Sequence, residues 1–231
     1  MMIALPNKDG SFTVTLFWPF EGRNSFAELK SDADILSFFK ETFPDAVTHM
    51  PTLVEDFKKN PVSSLVTVRC RPWHFKDRAV LLGDAAHAVV PFYGQGMNAS
   101  FEDCTVLAEC FRRNPSDTAK ALSEYSRERK ENVDALADEA LHNFIEMRDH
   151  TGRALFRLKK TAERFFARLL PFWYIPLYSM IQFTRIPYAE AVRKAERQKR
   201  IMAACVFFLL AAGIAGAYAY LKSCGSCCAI R

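Results

Sequence analysis

Glycine is scarce in this chain, with 9 residues in 231. A dinucleotide-binding fingerprint needs Gly-x-Gly-x-x-Gly directly after a strand, at the start of a helix, and no complete copy is present. The stretch Gly94-Gln95-Gly96-Met97-Asn98-Ala99 approaches the fingerprint, with alanine in the last place. A long connection separates this stretch from the preceding predicted strand, and a second helix follows it, so the context of the fingerprint is missing.

Charge is absent from the run Ile201 to Leu221. At about 1.5 Å per helical residue such a run spans about 30 Å, the thickness of a bilayer core. Basic residues are concentrated before the run, at Arg193, Lys194, Arg197, Lys199 and Arg200, with only Lys222 and Arg231 after it. The sequence therefore predicts a transmembrane anchor at 201–221, a tail at 222–231 and a cytosolic body. A buried soluble helix is the alternative.

Signals for secretion and for nucleic-acid binding are also lacking. No basic stretch followed by an apolar run begins the chain, and the seven cysteines form no framework typical of a small secreted domain. The net charge of +5 lies largely beside the uncharged run, which favours membrane lipid headgroups over nucleic acid. Cys224, Cys227 and Cys228 have no nearby histidine to complete a zinc site, so we expect acylated or free thiols and no metal.

Hydrophobic periodicity predicts an opening hairpin and then mainly helices. Predicted strands are Met1 to Pro6, Ser11 to Phe17, Leu65 to Cys70 and Ala79 to Leu82, with Phe12, Val14 and Leu16 on the buried face of a half-buried strand. Predicted helices are Asp32 to Phe43, Leu53 to Lys59, Asn98 to Arg113, Asp117 to His150 and Arg153 to Leu170. The last helix has one apolar stripe with basic residues largely off it, which suits either a membrane surface or packing on the protein body.

Two glycine-containing turns hold the residues that point to ligand binding. Asp84 follows Gly83 just past a short predicted strand, Val80 to Leu82, where a carboxylate can accept hydrogen bonds from sugar or ribitol hydroxyls. Gly94 and Gly96 then bring bare backbone to a helix N-terminus, whose unpaired N–H groups and positive dipole end favour an anionic ligand. The reduced flavin ring is such a ligand, and glycine lets it approach the backbone closely.

The stretches Gly83 to His87 and Pro91 to Ala99 resemble the second FAD motif of the single-component FAD-dependent aromatic hydroxylases. Within that family, Met1 to Asn7, Phe101 to Cys104 and Asn143 to Arg148, together with the anchor, resemble the kynurenine 3-monooxygenases.

The resemblance implies an enzyme that uses FAD, NADPH and dioxygen to convert L-kynurenine to 3-hydroxykynurenine at the mitochondrial outer membrane. It implies FAD binding by Asp84, Gly94, Gly96, Met97 and Asn98. It implies substrate binding by Asn143 and Tyr178, at the amino-acid end of the substrate, and by Pro91, Phe92, Gln95, Ile3 and Phe17. No side chain is assigned a catalytic role, because the cofactor carries the chemistry. His87 is expected to pack against the turn or to cap it.

The chain departs from the family in one respect. Members begin with a β-α-β unit that binds the FAD pyrophosphate, and they contribute an arginine and a tyrosine to the substrate carboxylate before the region that matches here. We therefore expect part of a longer enzyme, holding about half an FAD site. The expected fold is α+β: partial substrate-domain sheet (1–75), part of the FAD domain (76–113), helical region (114–200), anchor and tail. Alternatives are a quinone-precursor hydroxylase or a non-catalytic membrane-anchored form.

Overall fold

The computed structural model describes residues 1–150, 154–170 and 173–228 and is mostly helical with little sheet. The strands are β1 (Met2–Pro6), β2 (Phe12–Leu16), β3 (His74–Phe75) and β4 (Ala79–Val80). The helices are α1 (Asp32–Thr42), α2 (Pro44–Val47), α3 (Leu53–Lys59), α4 (Asp84–His87), α5 (Gly96–Arg113), α6 (Thr118–Ile145), α7 (Ala154–Leu169), α8 (Leu177–Phe183) and α9 (Tyr188–Cys228). Short 3-10 turns cover Phe26–Glu28 and Pro91–Tyr93, and a π-helical turn covers Glu146–His150.

The chain forms two compact units, Met1–Leu65 and Val66–Arg231. The mostly helical α+β class matches the expectation from sequence. The finer domain borders, after residues 75 and 113, stay predictions.

The first unit opens with the predicted hairpin. β1 and β2 are antiparallel, with Ala4 opposite Val14, and Gly10 at φ +83° supplies the left-handed residue of the connecting turn. The expectation of a half-buried β2 was wrong for Phe12 and Val14, which are 61% and 37% exposed. The buried core instead lies among the helices, where Ile35, Phe39 and Leu53 gather with several half-buried aromatic rings.

The second unit is built around the antiparallel pair α5 and α6. Its core contains Trp73, Cys110, Tyr125 and Val133, with β3 and β4 forming a small ladder beside it. The first turns of α9 also pack on this unit. Their small residues Ala191 and Ala195 are buried there.

Two predicted strands were corrected by the structure. Residues 65–70 form no strand, since Val68 donates one backbone hydrogen bond to the Ala88 carbonyl and no ladder continues from it. The segment predicted as a buried strand from Val80 to Leu82 forms a ladder only at Ala79–Val80, with one further backbone hydrogen bond from Leu81 to the Trp73 carbonyl, and Leu81 is 40% exposed. In both segments the β-prone side chains meet no long partner strand, and this tertiary setting overrides propensity.

Within the described residues, one helix is long and apolar enough to cross a membrane, and it covers Tyr188–Gly216 of α9. Its most apolar part is not buried by the rest of the protein. Phe207, Phe208 and Ile214 are all at least two-thirds exposed. The side chains of the predicted tail, including Cys224, Cys227 and Cys228, lie outside the described residues.

Candidate functional site

The turn before α4 is held against α5 by a single buried carboxylate. Gly83 has φ +57°, a region that L side chains rarely adopt, and a Cβ there would lie 2.9 Å from the Ser100 hydroxyl oxygen. Its backbone N–H donates to Asp103 Oδ2 at 2.9 Å. Asp84 is the first residue of α4 and its side chain is exposed. The turn therefore fixes the backbone and directs a free carboxylate to solvent.

Asp103 is the centre of a buried charge network that also includes His87 and Arg129. The three side chains are 0%, 3% and 1% exposed. Asp103 Oδ2 lies 2.5 Å from His87 Nε2, and Oδ1 accepts from Arg129 Nε at 2.7 Å. Arg129 also donates to the Ala99 carbonyl at 3.1 Å and pairs with Glu102 at 2.8 Å. The network thereby connects α4, α5 and α6.

The pKa of Asp103 reflects two opposing effects. Burial alone would raise the pKa, but hydrogen bonds from His87, Arg129 and the Gly83 N–H favour the charged form and hold the pKa below its ordinary value. His87 packs against the Trp73 ring, with centroids 5.2 Å apart, and its ring nitrogen is committed to Asp103. This agrees with the packing role expected for His87.

The second glycine turn leads into the N-terminus of α5. Gly94 is left-handed, at φ +64°, and a Cβ there would meet nothing within 4 Å. Gly96 begins the helix, and no side chain caps its first turn. Met97 and Asn98 are exposed. The turn thus offers open backbone and an uncapped positive dipole end to a ligand arriving from solvent.

Polar side chains hold this turn from behind. Buried Gln95 donates to Gln182 Oε1 at 2.8 Å and accepts from Asn98 Nδ2 at 3.0 Å. Gln182 in turn donates to the Tyr93 carbonyl. Helix α8 therefore positions the Gly94 turn, a link that only the tertiary structure reveals.

A cavity of about 530 Å³ lies beside this turn, within the range of small-molecule sites. Its lining includes Tyr93, Asn143 and Tyr178. The Tyr93 and Tyr178 rings are 5.8 Å apart, and Asn143 Nδ2 donates to the Phe92 carbonyl at 2.7 Å. Phe92 is buried and stacks on Phe144 at 4.6 Å. The two residues predicted to bind the amino-acid end of the substrate therefore share one cavity.

Both signs of charge line the same cavity. Glu139, Glu146 and Glu163 supply carboxylates, and Lys160, Arg164 and Lys199 supply cations. Burial raises the pKa of Glu139 above its ordinary value, although His142 and Lys199 oppose the shift. A cavity with both signs can pair with the ammonium and the carboxylate of an amino acid at once.

The remaining predicted site residues fall into two groups. Pro91 is exposed at the start of the 3-10 turn that precedes Gly94. Ile3 lies on β1, opposite Thr15, and Phe17 follows β2, so both belong to the first unit. Their predicted role in the substrate pocket stays a prediction.

Comparison with known proteins places the glycine turns within a flavin-binding family. A family described as an FAD binding domain matches residues 26–140. A kynurenine 3-monooxygenase of Flavobacterium psychrophilum is 50% identical over 202 residues, covering 87% of this chain and 45% of that protein. Its counterpart in Salinispora tropica is 52% identical over 202 residues, covering 87% and 44%. The enzyme of Sus scrofa is 43% identical over 211 residues, covering 90% and 44%.

The matches and the two glycine turns agree, since both point to the binding of FAD. Over most of its length the chain is similar to proteins named kynurenine 3-monooxygenase. It spans about half the length of the curated relatives that it matches.

Sequence reasoning missed the residues that support the site from within. Asp103 lies in a segment used for the family resemblance, but its contact with Gly83, twenty residues earlier, has no sequence signal. Arg129 lies in a run of charged residues that reads as a solvated helix face, although it is buried.

Proposed function

We propose that this chain is part of an enzyme that hydroxylates L-kynurenine to 3-hydroxykynurenine with FAD, NADPH and dioxygen. The observation that carries the proposal is the identity of about half over 87% of the chain to proteins named kynurenine 3-monooxygenase. A quinone-precursor hydroxylase, the alternative within the class, is not favoured, because the relatives above all bear the kynurenine name.

The residues of the two glycine turns fit FAD. Exposed Asp84 is available to accept hydrogen bonds from ribityl hydroxyls, and Gly94 leaves the backbone open to a flat ring. Gly96 is half-buried, and a Cβ there would lie 3.7 Å from Val89. The first-turn N–H groups at Met97 and Asn98 favour the negative charge that the reduced pyrimidine edge carries. When bound, FAD supplies the oxygen chemistry that amino-acid side chains lack.

The cavity residues fit the amino-acid end of L-kynurenine. Asn143 keeps its carbonyl oxygen as an acceptor while its amide donates to the Phe92 carbonyl, and the half-exposed residue Tyr178 contributes a hydroxyl. Their role is to hold and orient the substrate.

We also propose that α9 anchors the enzyme in the mitochondrial outer membrane, with the body in the cytosol. The exposed apolar part of α9 and its basic N-terminal flank support a span with that orientation. Bacterial relatives have no mitochondrion, so the organelle does not follow from family membership alone.

The substrate assignment is tested in a full-length version of the enzyme. Asn143→Ala and Tyr178→Phe each remove a neutral hydrogen bond of about 0.5–1.5 kcal/mol, so the kynurenine KM is expected to rise about two- to tenfold. FAD content should stay unchanged. Leu141→Ala, at a partly exposed position on the same helix, is the matched control.

FAD content and 3-hydroxykynurenine output are measured side by side. If Asn143→Ala lost flavin while turnover per bound flavin stayed normal, its assignment to the substrate would be wrong. If the wild-type enzyme hydroxylated a different aromatic compound, the substrate itself would be wrong.

A further inference from the structure

Helix α7 leaves much of its apolar stripe exposed, although Phe166 is half-buried. Its apolar residues Leu158, Phe165 and Leu169 are 66%, 60% and 60% exposed. Its charged residues Lys160 and Glu163 are half-buried and line the cavity of the second unit. An amphipathic helix normally buries its apolar stripe. The body of the second unit therefore leaves this apolar face uncovered.

The chain after α7 continues the apolar surface toward α9. Leu170 and Trp173 are 43% and 44% exposed. The Trp173 carbonyl accepts a hydrogen bond from Gln198 Nε2 at 2.9 Å, and Gln198 lies just before the uncharged run that begins at Ile201. Tryptophan is enriched where a membrane meets water. Trp173 thus lies at the level where a span in α9 would enter the bilayer.

Exposed cations surround this surface. On α7 they are Arg157, Arg164 and Arg168. On α9, before the uncharged run, they are Arg193, Lys194, Arg197, Lys199 and Arg200. Basic residues beside an apolar face match the headgroups of an anionic leaflet, and each contributes about 1 kcal/mol near such a surface.

We propose that the apolar face of α7, together with Trp173, inserts into the interfacial layer of an anionic membrane and forms a second membrane contact beside α9. The inference goes beyond the hydroxylase activity and does not depend on it. Since the opposite face of α7 lines the cavity, the membrane contact lies directly behind one cavity wall.

Lipid explains the surface better than a protein partner does. Trp173, just after the apolar face, is hydrogen-bonded to a helix that already meets the criteria of a membrane span. The exposed charges that precede the span are mostly basic, with five cations against Glu190 and Glu196. A second copy of the chain would present the same positive charge to these cations, and the two would repel each other.

The test uses the full chain in vesicles of phosphatidylcholine and phosphatidylserine whose acyl chains carry bromine near the headgroup or near the bilayer centre. The Trp173 signal is the difference in emission between the wild type and Trp173→Phe. We expect shallow bromine to reduce this signal about twofold or more, with less effect from deep bromine. Phe165→Asp should abolish the shallow quenching. Phe75→Asp adds the same charge at an equally exposed phenylalanine outside α7 and should preserve it.

Circular dichroism checks that each variant keeps its helices, which is expected because Phe165 and Phe75 are exposed. Two results would overturn the proposal. Trp173 accessible to aqueous iodide but not to bromine would place it in water, and protection from both quenchers would mean that protein covers the face. Alkaline extraction reports separately on α9, so the failure of one contact is distinguishable from the failure of the other.

Discussion

Replacing Asp103 is the most direct test of the buried network beneath the first glycine turn. Removal of one partner from a buried ion pair costs about 3–5 kcal/mol, because the other charge is left uncompensated. After Asp103→Ala, Arg129 keeps Glu102 and the Ala99 carbonyl, whereas the Gly83 N–H loses its acceptor. We therefore expect a loss near the lower end of that range, about 3 kcal/mol.

The assay is urea unfolding of the full chain in detergent, followed through the fluorescence of Trp73. That ring is 2% exposed and lies 5.2 Å from His87, so it reports on the network itself. Trp18 and Trp173 are replaced by phenylalanine to remove their signals. Glu102→Ala is the matched control, since Glu102 also pairs with Arg129 but is 42% exposed, and it should cost less than about 1 kcal/mol.

A double variant separates charge pairing from packing. Asp103→Leu with Arg129→Met removes both charges, and it should cost less than the sum of the two single variants by about 0.5–3 kcal/mol. If Asp103→Ala were no more destabilising than Glu102→Ala, the network would not hold the turn, and the reasoning would fail.

The same residue predicts a pH dependence. The pKa of Asp103 is lowered by folding, so its contribution is fully present above the unfolded value, near 3.8, and is lost as pH falls through the folded value. The stability difference between the wild type and Asp103→Asn should therefore be constant above about pH 5 and should shrink below about pH 4.

Three further predictions concern the turns and the anchor. Gly83→Ala places a Cβ against Ser100 at positive φ, so it should destabilise the second unit by about 1–3 kcal/mol in the same urea assay. Gly94→Ala, also at positive φ but in open space, should cost less. In the full-length enzyme, Asp84→Ala should weaken FAD binding about ten- to hundredfold, as measured by flavin titration, without changing the urea midpoint. The intact chain should stay in the membrane pellet after alkaline carbonate, and a chain that ends at Arg200 should be released from that pellet. Recovery of the intact chain in the supernatant would contradict a span.

The helices could be predicted from the sequence because their signals are local. α3 begins and ends at the residues predicted, and α1 begins with a capping box between Ser31 and Asp34. Strand pairing depends on distant partners, so the segment 65–70 looked like a strand although no ladder forms there. The glycine turns could be predicted because they are short sequence motifs. The buried residues that support them could not, since burial of Arg129 is decided by how α5 and α6 pack.

Exposed and buried residues have different roles in the two glycine turns. Asp84, Met97 and Asn98 are exposed, whereas Asp103, His87 and Arg129 are buried behind the first turn and Gln95 behind the second. The backbone of both turns is thus held by protein contacts, which lowers the entropy lost on binding. Variants of the buried group should therefore change FAD affinity and stability together, whereas variants of the exposed group should change affinity alone. A buried variant that weakened FAD binding at unchanged stability would instead show direct contact with the cofactor.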